Sequence, residues 1–348
     1  MKKVLFNTAL LLAGTLTLTL ATAQENRDTD RQRTEPKFKK TKSYSKSYPL
    51  SGSDRVSLSN QFGEMKLNTW DKNEIKVDIS ITGKSDEEPR AQEILDKISI
   101  EDSKTGNTVS FKTNFADDKR NKNNNTNKNE NHNKNENHNE GMEINYTVYL
   151  PSGNALKAEN QFGKMVVPDF KGEVDLSSKF GSLTAGRLSN SKKVSVEFGK
   201  ADIAQVSDGD LTIKFSSGNV NKVSGDVKSD IQFSQVKLNL DNESKNLVLN
   251  NSYSTVYLDV DRNFSATYDI STSHGDFTNQ TAFPIKSQNE EKSGYGPRFN
   301  NKYSGSSGGG SSKVKVSSSF GEVIVGHDMK VDVTEKKSKN KNKSSKVI

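Results

Sequence analysis

A phrase that returns at a fixed step constrains this chain more than anything else in it. Asn160-Gln-Phe-Gly-Lys-Met165, Ser178-Lys-Phe-Gly-Ser-Leu183 and Val196-Glu-Phe-Gly-Lys-Ala201 set Phe162, Phe180 and Phe198 18 residues apart. An earlier copy is Phe62-Gly63 and a clean later one is Phe320-Gly321. Weaker copies fall at Phe215, Phe233, Tyr253 and His274. A fixed internal period decides architecture before local propensity does.

Each copy carries the same apolar skeleton. Three residues after the aromatic stands Met65, Met165, Leu183, Ala201, Val236, Val256, Phe277 or Val323, and a second apolar residue follows two places on. A further alternating pair precedes the aromatic, as in Val56/Leu58, Val174/Leu176 and Val314/Val316. This is the period-2 pattern of strands with one buried face. One repeat is then two short strands joined by a polar corner, with the glycine expected to supply a positive φ at the bend. Such a unit is too short for a helical hairpin or a propeller blade. It suits one coil of a stack, each coil lying about 4.8 Å from the next. The expected fold is all-β, a single-chain β-solenoid (parallel β-helix-like) with coils of roughly 18–21 residues and one short helix near the N-terminal part. Phe162, Phe180 and Phe198 should stack at one corner, with Met165, Leu183 and Ala201 beneath. The other reading of the aromatics is a stripe on which a ligand stacks.

Only 30% of the 348 residues are hydrophobic, so parts of the chain cannot build a compact core. Cysteine is absent, which excludes disulfides, thiolate metal sites, a thiol nucleophile and a lipid-anchoring cysteine. The net charge of +7 is unevenly placed. Lys2 and Lys3 give +2, residues 24–47 give +4 and residues 328–348 give +4, which leaves −3 for the remainder. The repeat body is mildly acidic, which disfavours nucleic acid as its partner. The basic ends could touch anionic glycans or lipid headgroups.

Residues 1–23 read as a secretion signal: Lys2-Lys3, an apolar run from Val4 to Leu20, and Ala21-Thr22-Ala23 for cleavage. Residues 24–47 read as a disordered linker, and 48–327 as the β-solenoid domain. Within it, Ser85 to Lys97 breaks the β pattern. Asp86 is placed to cap a short helix there, Pro89 suits its first turn, and Ala91, Ile94, Leu95 and Ile98 share one face. Two inserts, 115–141 (rich in Asn, Lys, Glu and His) and 286–312 (rich in Gly, Ser and Asn), read as disordered. Val314 to Val325 reads as the last coil, and 328–348 as a basic tail.

The sequence shows no nucleophile elbow, phosphate-binding loop, zincin motif or dinucleotide fingerprint. His132 and His138 lie in a polar tract with nothing to orient them as ligands. His274 substitutes for a repeat aromatic, and His327 ends the last coil. If the scaffold carried glycan-cleaving carboxylates, Asp208/Asp210 or Asp259/Asp261 would be the candidates, although such pairs are ordinary turn residues. Corner asparagines such as Asn250-Asn251 could form side-chain ladders. No catalytic, cofactor-binding or metal-binding residue is assigned, and no cofactor is expected.

The signal segment, residues 59–83 (SNQFGEMKLNTWDKNEIKVDISITG), 94–101 (ILDKISIE) and the phrases ENQFGKMVV, SKFGSLTAG and SSSFGEVIVG together resemble the putative-adhesin β-solenoid family of secreted bacterial proteins, related to head-GIN-like domains. The resemblance covers roughly residues 50–326 and implies an extracytoplasmic β-solenoid without assigned catalytic residues. The Asn/Lys insert and the lysine-rich tail depart from that compact pattern. The expected function is an exported, non-enzymatic, adhesin-like or cell-envelope interaction protein. The alternatives are a polysaccharide lyase or hydrolase on the same scaffold and a self-associating envelope scaffold. The expected partner is an envelope glycan or a surface protein, with no nucleic acid and no stable membrane insertion after signal cleavage. The expected location is periplasmic, cell-surface or secreted. Oligomeric state stays open.

Overall fold

The structure, a computed structural model, describes residues 35–116, 139–289, 299–331 and 333. Apart from Glu35, the described residues all belong to one unit, 36–348. The expected signal segment 1–23, His132 and His138 lie outside the described residues, as does the tail beyond 333. This unit is nearly all β: its described residues form 21 strands in one open sheet and one helix.

Its middle follows the repeat. The strands Ala155–Gln161, Phe170–Lys179, Ser182–Glu197, Lys200–Lys214, Ser217–Gln232 and Gln235–Ser252 pair in parallel, each with a copy one repeat away. Leu183 lies in register between Met165 and Ala201. Leu176 pairs with Val194, Val194 with Leu211, and Ile213 with Ile231. All of these side chains are fully buried. The period-2 pattern therefore turns one side chain of each pair inward, and the step of the repeat stacks inward residues of successive copies. One copy has no partner for its apolar face, so burial accrues only as copies stack.

At two places the stack departs from chain order. Arg55–Gln61 pairs in parallel with Ala155–Gln161, Val56 against Leu156 and Leu58 against Ala158. The residues between them build a cover. Glu74–Ser85 runs antiparallel to Gly141–Leu150 and to Phe38–Pro49. Thr108–Phe115 lies parallel on the outer side of Arg55–Gln61, with Ile98–Thr105 antiparallel beyond it. The helix Glu88–Asp96 buries Ala91, Ile94 and Leu95, the face expected from sequence. It has no side-chain cap: Asp86 instead accepts a hydrogen bond from the Lys37 N–H.

At the other end, the copy expected last is not last. Ser312–Ser319 inserts between Gln235–Ser252 and Ala266–Ser273, with Val314 in register with both Leu247 and Tyr268. Every copy presents the same alternating pattern, so periodicity fixes register but not which copies are neighbours.

Two segments expected to be disordered contain strand. Residues 24–47 were read as linker, yet Phe38–Pro49 pairs with Glu74–Ser85 through twelve consecutive positions. A neighbour that pairs the whole backbone relieves the strand of needing a continuous apolar face. The Lys42 ammonium donates to the carbonyls of Leu95 and Ile98 at 2.9 and 2.7 Å. The Tyr44 and Tyr48 hydroxyls donate to the two carboxylate oxygens of Asp102. In the insert 286–312, Lys286–Ser287 and Asn300–Ser307 are strands, the latter antiparallel on the outer edge of Ala266–Ser273. The Ser307 hydroxyl donates to the Phe264 carbonyl at 2.6 Å and accepts the Ala266 N–H at 3.2 Å. An exposed strand edge offers unpaired backbone groups, and a Ser- and Gly-rich strand can cover it. Residues 117–138 and 290–298 lie outside the described residues.

Candidate functional site

The repeat corner is built otherwise than its glycine suggests. The aromatic itself carries the positive φ: 56° at Phe162, 54° at Phe180, 56° at Phe198, and 49–63° at Phe62, Phe215, Phe233, Tyr253, His274 and Phe320. None of the glycines that follow these aromatics has a positive φ. They serve close approach. A Cβ on Gly181 would sit 1.9 Å from the Gly163 carbonyl oxygen, and one on Gly199 would sit 1.8 Å from that of Gly181. Where serine replaces the glycine, its hydroxyl joins the stack: Gly199 N–H donates to Ser216 Oγ at 3.0 Å, Ser216 N–H to Ser234 Oγ at 3.1 Å, and Ser234 N–H to Ser254 Oγ at 2.9 Å.

A left-handed backbone at a bulky residue costs about 1–2 kcal/mol each time. Two interactions offset it. Each aromatic N–H donates across to a neighbouring copy, as Phe162 to the Lys179 carbonyl at 2.9 Å and Phe180 to that of Glu197 at 3.0 Å. Each ring also stacks on the next, worth about 0.5–1.5 kcal/mol per pair. The stack runs Phe62, Phe162, Phe180, Phe198, Phe215, Phe233, Tyr253, Phe320, His274, Phe299, with centroids 4.6–5.1 Å apart. Its nine steps make a line about 44 Å long at the spacing of stacked strands. Phe115 meets Phe62 edge-on and closes one end. The three-ring stack expected from sequence is therefore part of a ten-ring one. His274 holds the aromatic slot expected for it, whereas nothing in the periodicity points to Phe299.

This ladder is a surface. Eight of its rings, from Phe162 to Phe299, are 46–52% exposed. Neighbouring rings cover one another's faces, with interplanar angles of 1–16° along the exposed run, so the ladder shows ring edges outward. A ligand stacked face-on upon successive rings, the alternative read from sequence, has no free face inside the run.

Beside the later half runs a groove of about 1040 Å³, floored by Phe215, Phe233, Tyr253, Phe320 and His274 and walled by Lys330, Val331 and Val333. The wall is the segment that follows the last strand. Met329 N–H donates to Asp259 Oδ2 at 3.1 Å, and Lys237 Nζ donates to the Met329 carbonyl at 2.8 Å. Lys237 and Asp259 pair at 2.9 Å, both largely out of solvent.

That clamp accounts for Asp259, one of the carboxylates considered for glycan cleavage. Asp261 accepts the Asn263 N–H at 2.9 Å and shapes a turn. Asp208 accepts the Asp226 N–H at 2.9 Å, and Asp210 lies exposed on its strand. Asp259 and Asp261 do border a depression of about 230 Å³ with Asp241 and Asp328. Lys222 binds Asp241 there, and Arg262 binds Asp328. His327 Nδ1 is 2.7 Å from the Val260 carbonyl, an orienting contact at the strand end. Among the described residues, no group of three or more His, Asp and Glu is arranged to hold a metal. Corner asparagines do bridge copies, though mainly two residues before the aromatic: Asn60 Nδ2 donates to Asn160 Oδ1 at 3.1 Å, and Asn251 Nδ2 to Ser318 Oγ at 2.9 Å.

No family model and no curated protein matches this chain. Its fold is distantly similar to three crystal structures. A putative cell adhesion protein from Clostridium sporogenes is 13% identical, with 82% of this chain and 99% of that one covered and a TM-score of 0.24. A putative adhesin from Bacteroides fragilis is 11% identical, with 82% and 97% covered and a TM-score of 0.35. A putative lipid binding protein from Parabacteroides distasonis is 10% identical, with 82% and 96% covered and a TM-score of 0.32. Likenesses this distant carry no weight for what the chain binds.

Proposed function

We propose that this protein is an exported, non-enzymatic β-solenoid of the adhesin-like kind, which makes extended contacts at the cell envelope through its aromatic stripe. The observation that carries the reading is the stripe itself: at Phe162, Phe180, Phe198, Phe215, Phe233, Tyr253 and Phe320 a bulky ring is held at a costly backbone angle and left about half in water. Asparagine would occupy that angle more cheaply. Strain repeated at an exposed position points to use of the position.

The parallel pairing at each repeat supports the solenoid reading. Like edges repeated at one spacing suit an extended contact, in which each site is weak and avidity accumulates. Catalysis instead calls for unlike groups held at fixed separation with shifted pKa values. Export rests on residues 1–23, and the basic ends add salt-dependent attraction to anionic glycans or lipids.

The test is capture of residues 24–348 on cell-envelope fractions and purified envelope glycans, alongside a variant with Phe198, Phe215 and Phe233 changed to Asn. Retention of the parent, weakened by the three changes and by added salt, is the expected result. Equal retention of both proteins would remove the stripe from the account. Glycan depolymerisation abolished by Asp259→Asn or Asp210→Asn would replace the reading with an enzymatic one.

A further inference from the structure

The stripe's area, shape and flanking charge together narrow what can cover it. Eight half-exposed rings leave on the order of 100 Å² each, or roughly 800 Å² of nearly continuous apolar edge. The largest apolar patch on a typical monomer is about 300–600 Å². A stable protein–protein interface takes about 800 Å² from each partner. The stripe is straight, uniform in period and edge-on, so a surface of the same kind matches it along its whole length.

The flanks are asymmetric along the stripe. On the side two residues after each aromatic, Glu64 stands beside the less exposed first ring, Phe62, Lys164 and Lys200 beside the early part of the exposed run, and Glu322 and Asp276 beside its late part. Among the described residues, no ion pair involves Lys164, Lys200, Glu322 or Asp276. On the other side, Lys179 and Lys214 are already matched, to Glu197 at 3.4 Å and to Asp230 at 3.0 Å.

We infer that the stripe's occupant is a second copy of this chain, laid antiparallel so that the two ladders meet edge to edge about a two-fold axis. The inference rests on reading the stripe as a contact surface and names what it contacts. With the ten rings superposed in reverse order, Lys164 of one copy faces Asp276 of the other. Lys200 comes within one step of Glu322. Both pairs form twice, as an isologous interface requires. A parallel arrangement would instead set Asp276 and Glu322 against Ser273 and Ser319 and leave both acids unmatched. Lys330, Val331 and Val333 share the groove with Asp276 and Glu322, and the rings beside them stay open to solvent: Tyr253 and Phe320 are 52% and 50% exposed, against 48% for Phe180 farther up the ladder. On a cell surface such pairing between copies would join molecules of the same kind.

Sedimentation velocity of residues 24–348 across micromolar concentrations tests this. The expected result is a concentration-dependent dimer, weakened at least tenfold by Phe198→Asn, Phe215→Asn and Phe233→Asn together. Asparagine accepts the left-handed backbone, so thermal unfolding of that variant should stay close to the parent's and exclude misfolding as the cause. Lys164→Asp alone should weaken the dimer severalfold, and Lys164→Asp with Asp276→Lys should restore it. A monomer at every concentration overturns the proposal, as does a dimer indifferent to the three asparagines. Failure of the double reversal to rescue overturns the antiparallel pairing. A monomer that floats with phosphatidylglycerol/phosphatidylcholine vesicles through the same rings assigns the stripe to lipid and ends the proposal. If the protein is monomeric yet captured on envelope fractions through the rings, the contact-surface reading stands and this inference alone falls.

Discussion

The middle of the stack and its N-terminal end solve one problem by opposite means. Between Ala155 and Ser252 each strand takes as neighbour the copy one repeat away, in parallel and with like residues in register. At the N-terminal end the partners are remote and mostly antiparallel, as when Phe38–Pro49 pairs with Glu74–Ser85, and the contacts are individual: a lysine on two carbonyls, two tyrosines on one carboxylate. The middle is a periodic solution in which any position is representative. The end is a singular solution that stops the periodic one, covering an open edge with strands of which one, Phe38–Pro49, carries little apolar surface of its own.

The contrast can be broken first in the middle. Leu183 is 1% exposed, between Met165 and Ala201. Leu183→Asp should cost more than about 4 kcal/mol and abolish cooperative thermal unfolding, because the carboxylate would be unpaired in an apolar column. Circular dichroism on heating checks this.

A smaller loss should follow Gly181→Ala, whose new methyl meets the Gly163 carbonyl oxygen at 1.9 Å. About 2–4 kcal/mol is expected in denaturant unfolding, since backbone rather than a flexible side chain must move. If the glycine served conformation instead of approach, alanine would be tolerated there, its φ being negative.

The N-terminal cover should respond to acid. Burial pushes the Asp102 carboxyl up, but the Tyr44 and Tyr48 hydroxyls donating to it outweigh burial and hold its pKa below the ordinary carboxylate value. A carboxyl lowered by folding adds stability that is complete above its unfolded value of about 3.9 and is lost as pH falls through the folded value. Asp102→Asn should therefore cost about 1 kcal/mol at neutral pH and flatten the decline below about pH 4, as read from urea midpoints over a pH series. An unchanged acid profile would show that the tyrosine contacts add nothing. The smallest effect is expected at Asp210, exposed on its strand. Asp210→Ala should shift stability by less than about 0.5 kcal/mol.

What could be read in the sequence follows the same division. The inward column of Met165, Leu183 and Ala201 and the ring stack above it were legible, because a two-residue alternation and an 18-residue step leave little choice of register. The place of Phe320 was not. Its copy looks the same whether it follows His274 or precedes it, and the antiparallel strand Asn300–Ser307, which occupies the outer edge, is written in Ser, Gly and Asn. Strand Phe38–Pro49 was hidden for a related reason: its pairing is dictated by Glu74–Ser85. Of the candidate site, the rings were visible, but their exposure was not. Alternation tells which residues face inward along a strand and is silent about a residue in the left-handed region at a corner. The wall at Lys330–Val331 depends on the Lys237–Asp259 clamp, a single long-range contact that no period encodes.

Continuity of the stripe depends on the copy around Phe320 lying between those around Tyr253 and His274. The chain has no cysteine, so paired substitutions report neighbours without background. Ser319 is in register with Ser252 on one side and Ser273 on the other. Adjacent strands hold such partners about 4.8 Å apart, within reach of a disulfide, and a two-step separation is beyond it. Mild oxidation followed by peptide mapping should link cysteines at 252 and 319, and at 319 and 273, but not at 252 and 273. Efficient linkage of 252 to 273, with none to 319, would restore chain order to the stack and contradict the continuous stripe.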